Sequence, residues 1–234
     1  MSTSPPETPR LTIDIVSDVV CPWCVIGYET LAKTLRGMGL AETTEVRFHP
    51  FELNPHLAAG GQHLGEHLAQ KYGSNSEQSR SARARLTSLG ESLGFAFRFS
   101  DGTRIYNTWR AHQLLFWARE SAGLQKQLEL QRLLFEAYFT EGRPIDDVPT
   151  LVEVAARAGL DAEEAGAVLY DARYADVVRA EAAEWRAKGI SAVPSVVING
   201  RSLLTGAQPE EVFRNAITRA LTAAPAREAG EVSP

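Results

Sequence analysis

The order of elements predicts an α/β protein: a βαβ unit, a long helical block and a closing ββα unit. Three observations predict it. Strand-like apolar runs at residues 11–17 and 45–51 flank a helical stretch. Strand signals then stop from about Gly61 to Lys188, where apolar residues recur at helical spacing. They return at residues 195–198 and 201–205, joined by Asn199-Gly200, the strongest short hairpin signal.

Each element has its own warrant. The first strand reads Leu11-Thr12-Ile13-Asp14-Ile15-Val16. The first helix runs from about Pro22 to Arg36 and ends before Gly37 and Gly39. The second strand, from Glu45 to Phe51, completes a βαβ unit with a right-handed crossover. In the helical block, Trp109, Gln113, Phe116 and Trp117 share one face of a helix, and Leu124, Leu128, Phe135 and Tyr138 share a face of the next. Asp146 or Asp147 caps a helix carrying Leu151, Val154 and Ala155, and Asp161 starts a short one. Tyr174, Val177, Val178 and Trp185 mark the last of the block. A final helix begins near Pro209 and carries Val212, Phe213, Ile217 and Leu221. This divides the chain into a first part (11–60), a helical insertion (61–188) and a second part (189–222). Residues 1–10 and 223–234 are expected to be disordered.

The 234 residues are 44% hydrophobic and 8% aromatic, enough for a sizeable core. A net charge of −5 argues against a nucleic-acid partner, which needs a basic face. The polar, proline-rich N-terminus lacks the apolar core of a signal peptide, and no apolar run is long enough to span a bilayer. The expectation is a cytoplasmic protein with no membrane partner.

Chemistry concentrates in the chain's two cysteines, Cys21-Pro22-Trp23-Cys24, at a strand-to-helix junction. Such a pair is the redox centre of a thioredoxin-like fold. The spacing places both sulfurs on one helical turn, near enough to bond. The first faces the unpaired N–H groups and positive dipole end of the helix, which favour thiolate, the species that attacks disulfides. Pro22 suits the first helical position, where no N–H is needed. Cys21 is therefore the nucleophile and Cys24 the resolving thiol. A zinc site wants more ligands, and no further cysteine exists.

Val193-Pro194 precedes the closing hairpin. In this context the peptide is expected to be cis, leaving the Val193 backbone free to pair with an extended substrate. Trp23, Val193 and Pro194 are assigned to substrate binding.

These features resemble the DsbA-like thioredoxin-fold oxidoreductases, in their FrnE-like branch, over residues 11–222. The resemblance rests on Asp18-Val19-Val20-Cys21-Pro22-Trp23-Cys24, Phe51-Glu52-Leu53-Asn54-Pro55, Asn107-Thr108 with Ala111-His112, Gly189-Ile190 before Val193-Pro194, and Gly206-Ala207-Gln208. It implies a thioredoxin fold (βαβ…ββα) with a large inserted all-helical domain. It also implies dithiol–disulfide exchange with disulfide-containing proteins or small thiols, with no bound cofactor and with glutathione as a candidate redox partner. Asn107 and His112 would face the cleft between domains. Two positions depart from the pattern. Ile15 stands where many members carry a buried acid, so Asp18 is the remaining carboxylate, with helix capping preferred over proton relay. Trp23 replaces the histidine of strongly oxidising members.

Other motifs receive blander readings. His63-Leu64-Gly65-Glu66-His67 matches a zinc-peptidase pattern, but its glycines make a firm helix doubtful, and no metal is assigned. Arg80, Arg83 and Arg85 read as a solvated helix face. Trp109, Phe116 and Trp117 read as packing. The chain is thus read as a thiol–disulfide oxidoreductase of reductase or isomerase type, with its reductant and oligomeric state left open. The alternatives are a glutathione-dependent isomerase or transferase of the same fold, usually with serine in place of the first cysteine, and a redox-gated chaperone.

Overall fold

A computed structural model describes residues 11–73 and 75–222. The segments expected to be disordered, 1–10 and 223–234, lie outside the described residues. In chain order the elements are β1 (Thr12–Ser17), α1 (Pro22–Gly37), β2 (Glu45–Pro50), β3 (Gln62–His63), α2 (Leu64–Tyr72), α3 (Ser76–Leu93) and β4 (Arg104–Ile105). There follow α4 (Trp109–Ala122), α5 (Leu124–Phe139), α6 (Val148–Arg157), α7 (Ala162–Asp171), α8 (Ala175–Ala187), β5 (Ser195–Ile198), β6 (Ser202–Thr205) and α9 (Glu210–Thr222).

Four strands form the main sheet in the order β2-β1-β5-β6. β1 runs parallel to β2, with Thr12 opposite Glu45 and Ser17 opposite Pro50. It runs antiparallel to β5, with Ile13 opposite Ile198. Strand alternation sends Ile13 and Ile15 to one face, where Leu31 and Leu35 of α1 and Phe213 and Ile217 of α9 cover them. Each such buried side chain contributes roughly 1.5–3 kcal/mol. On the opposite face Val16 packs with Phe51, Trp185 of α8 and Ile190. The β5–β6 turn has Asn199 at φ 50° and Gly200 at φ 64°, both left-handed, and Arg201 completes the three-residue connection between the paired Ile198 and Ser202. Asn199 Oδ1 also accepts the Thr12 N–H at 2.9 Å, tying the turn to β1.

This is a thioredoxin-type βαβ…ββα core with an inserted helical subdomain. Asp147 and Asp161 cap α6 and α7 through their side chains. Two local features differ from the sequence expectation. Gln62 and His63 pair with Ile105 and Arg104, a two-residue ladder too short to leave a periodic signal in the block read as all-helical. Residues 64–72 form a helix despite Gly65. Glycine costs about 1 kcal/mol there, and the packing of Leu64 on the core offsets it.

A polar junction ties the insertion to the sheet. His49 of β2 bridges Asp14 of β1, at 2.8 Å, and Glu181 of α8. Arg119 of α4 grips both oxygens of Glu181 at 3.0 Å each. Burial opposes charge on His49, but its two carboxylate partners raise its pKa above the usual imidazole value. Burial likewise opposes charge on Glu181, yet His49 and Arg119 hold it down at about 2.

Candidate active site

β1 ends at Ser17, and the chain turns through Asp18 into α1. The Cys21 N–H bonds the Asp18 carbonyl at 3.0 Å, and the Cys24 N–H bonds the Cys21 carbonyl at 3.0 Å. Cys21 is the N-cap residue, in extended conformation, and Pro22 opens the helix. Both cysteines are free thiols, 4% and 0% exposed. Burial, and then the neighbouring Cys21 sulfur, push the Cys24 thiol well above its ordinary pKa. The deeper sulfur therefore holds its proton, as a resolving thiol does before its turn.

The Val193–Pro194 peptide is cis. It lies against the pair: Cys21 Sγ sits 3.7 Å from the Val193 carbonyl oxygen. Below it, a Cβ on Gly27 of α1 would stand 3.1 Å from Pro194 Cγ, so the missing side chain permits the approach. The Pro194 carbonyl accepts the Gly206 N–H at 2.7 Å, which joins the Gly206-Ala207-Gln208 motif to the site.

Asp18 is fully buried, and its role differs from the capping read in the sequence. Cys21 is the N-cap of α1, with no side chain capping the helix. The Asp18 carboxylate turns instead toward the loop after β2, where Oδ2 accepts the Leu53 N–H at 2.7 Å. His112 Nε2 lies 3.6 Å from the other oxygen and donates to the Phe51 carbonyl at 3.1 Å. Asn107 bonds Glu52 and the Pro55 carbonyl, at 3.4 and 3.2 Å, while its Oδ1 accepts the Trp109 N–H at the start of α4. Burial raises the pKa of Glu52, with Asp18 adding to the effect and His112 opposing it. Contrary to the expectation from the sequence, neither Asn107 nor His112 lines the cysteine cleft. Their polar atoms are spent on backbone groups and on the Asp18 and Glu52 carboxylates, so they brace the Phe51-Glu52-Leu53-Asn54-Pro55 loop.

The cleft itself encloses about 700 Å³. Cys21, Pro22, Trp23, Leu53 and Val193 form its floor, and α2 and α3 form the facing wall with Leu64, His67, Leu68, Arg83 and Leu86. Trp23, 38% exposed, stands at the edge, with the Arg85 guanidinium 5.7 Å from its ring. Burial and then Lys71 lower the pKa of His67, so it is neutral at pH 7. His63 and His67 bond Asp101 and Gln62 respectively, so the two histidines point to different partners. Sequence reasoning missed His67 and Arg83 as cleft residues. The signal for Arg83 was its spacing from Ser79 and Leu86, which places it on the buried side of α3. A wider groove of about 1050 Å³ lies around His49 and Trp185, and no cysteine lines it. No described helix is long and apolar enough to cross a membrane.

A vicinal dithiol at a helix N-terminus, set against a proline loop in this fold, defines the class of thiol–disulfide oxidoreductases. The chain belongs to the DSBA-like thioredoxin domain family, whose model matches residues 12–218. It is similar to the crystal structure of a probable DsbA oxidoreductase from Streptomyces coelicolor, at 35% identity and a TM-score of 0.86, over 93% of each chain. It is 28% identical over 207 residues to YwbO of Bacillus subtilis, an uncharacterised protein, covering 88% of this chain and 95% of the relative. The cytosolic disulfide reductase DsbM of Pseudomonas aeruginosa, solved with GSH, shares the fold at 20% identity, a TM-score of 0.60, and 91% and 100% coverage.

Proposed function

We propose that this chain is a cytoplasmic disulfide reductase or isomerase of the FrnE-like branch. The observation that carries the reading is Cys21, the N-cap of α1, with its sulfur against the Val193 carbonyl and Cys24 buried behind it. Cys21 attacks a substrate disulfide as the thiolate. One sulfur–sulfur bond breaks, a mixed disulfide forms, and the leaving thiolate takes up a proton. Cys24 then gives up its proton and displaces the second thiol from Cys21. The protein ends as the Cys21–Cys24 disulfide, two electrons having passed to the substrate.

The Val193 backbone pairs with an extended segment of the bound substrate. Asp18 holds the Leu53 side of the cleft at a fixed distance from the sulfurs. Glutathione is proposed as a redox partner, and its support is the GSH held by a protein of the same fold. The rival reading as a glutathione-dependent isomerase or transferase, which lacks a redox pair, is disfavoured by the intact dithiol.

The test is turnover of hydroxyethyl disulfide and insulin by the pre-reduced protein. Reduction with loss of both protein thiols supports the reading. Binding of insulin without thiol loss favours the chaperone alternative and would overturn it.

A further inference from the structure

The wall of the cleft over Cys21 carries an unusual charge pattern. Ser79, Ala82, Arg83 and Leu86 fall on one face of α3 and line it. Arg83 is half-buried there, among Leu64, Leu68, Leu86 and Phe139. Among the described residues its guanidinium makes one hydrogen bond, from Nε to the Ser79 carbonyl at 3.3 Å, and pairs with no carboxylate. Lys71 also lines the cleft, with its ammonium on the Leu53 carbonyl and Asn54 Oδ1 at 2.8 and 2.7 Å. Among the described residues lining the cleft there is no Asp or Glu, although the whole chain holds 29 acids against 24 bases.

A partly desolvated guanidinium without a counter-ion is costly, and an entering anion offsets that cost through charge-assisted hydrogen bonds. Access adds a second constraint. Cys21 is 4% exposed and opens onto a cleft of about 700 Å³, within the range of small-molecule sites. Burial of Cys21 at the floor of a cleft of this size favours a small disulfide over one held on a folded protein surface.

Building on the redox reading above, we propose that the preferred substrate is a small disulfide bearing carboxylates, selected by Arg83. The reaction is balanced without a further reagent in a single turnover. The dithiol and one disulfide become one protein disulfide and two free thiols, with the two protein protons passing to the leaving thiolates.

The test uses pre-reduced protein and three disulfides of matched length: dithiodipropionate, neutral hydroxyethyl disulfide and cationic cystamine. Rates are read from tryptophan fluorescence and thiol titration, each divided by the rate with a free model dithiol. The expected order places the anion first, at least about tenfold above the cation. Arg83→Met should bring the anion-to-cation ratio near one through a raised KM, and Arg83→Lys should retain most of it. Thermal melting checks that both variants fold. Equal wild-type rates for anion and cation, or an unchanged ratio in Arg83→Met, would overturn the assignment of Arg83. Insulin reduced faster than dithiodipropionate would overturn the small-substrate assignment. Failure to reduce even hydroxyethyl disulfide would instead overturn the redox reading beneath it.

Discussion

The sulfur of Cys21 and the carbonyl of Val193 lie 3.7 Å apart, although 172 positions separate them in the chain. The sheet brings them together. α1 begins where β1 ends, and β5, which follows Pro194 directly, pairs antiparallel with β1. Cys21 and the Val193 backbone are thus fixed by one strand pair, and the helical insertion is spliced between them.

Gly27 sets how closely α1 and the proline loop meet. A β-branched side chain there must push against Pro194 Cγ, which is already 3.1 Å from the first carbon it would add. Overpacking of this kind costs about 1–3 kcal/mol. Gly27→Val is expected to lower the unfolding free energy measured in urea by that amount and to slow reduction of hydroxyethyl disulfide. Unchanged stability and rate would mean that the loop moves independently of the helix.

Asp18 is expected to act through position. Asp18→Ala leaves the half-buried Leu53 N–H without its 2.7 Å acceptor, a loss of about 1–3 kcal/mol. Asp18→Asn keeps an acceptor oxygen and should retain most of the stability and the shape of the pH–rate profile. Urea denaturation and the pH profile of single-turnover reduction check both. A normal fold with a flattened pH profile in Asp18→Asn would instead make the carboxylate a proton relay.

Much of this fold is legible in the sequence because its signals are local. Asn199-Gly200 announces the hairpin through its two left-handed residues, and Cys21-Pro22 announces the start of α1. The site is only half legible. Asp18, Leu53 and His112 meet across separations of 35 to 94 positions, 18 to 53 and 18 to 112, and no local rule joins a buried carboxylate to its distant partners. His112 was misplaced for that reason, since a polar residue on an apolar face reads equally as core or cleft. Arg83 was misread because a cluster of arginines looks solvated until the element facing it is known.

The junction of His49 and Glu181 makes stability depend on pH from both sides. The fold raises the pKa of His49, so its contribution is complete below the ordinary value of 6.5 and fades as pH rises through the raised one. Glu181 is lowered to about 2, so its contribution is complete above 4.5 and fades as pH falls toward 2. Glu181→Gln leaves His49 and Arg119 facing a neutral amide, a loss of up to about 3 kcal/mol. The difference in unfolding free energy between wild type and this variant should peak between about pH 4.5 and 6.5 and shrink on either side. A difference independent of pH would show that the network is held by packing alone.

Trapping of mixed disulfides tests the central claim most directly. Cys24→Ser keeps the attacking sulfur and removes the resolving one, so it should accumulate a covalent adduct with a disulfide substrate, seen on non-reducing gels and released by dithiothreitol. Cys21→Ser, with its remaining thiol fully buried and its pKa raised, should form none and show no reductase activity. Adducts on Cys21→Ser but not on Cys24→Ser would reverse the roles, and adducts on neither would contradict the redox site itself.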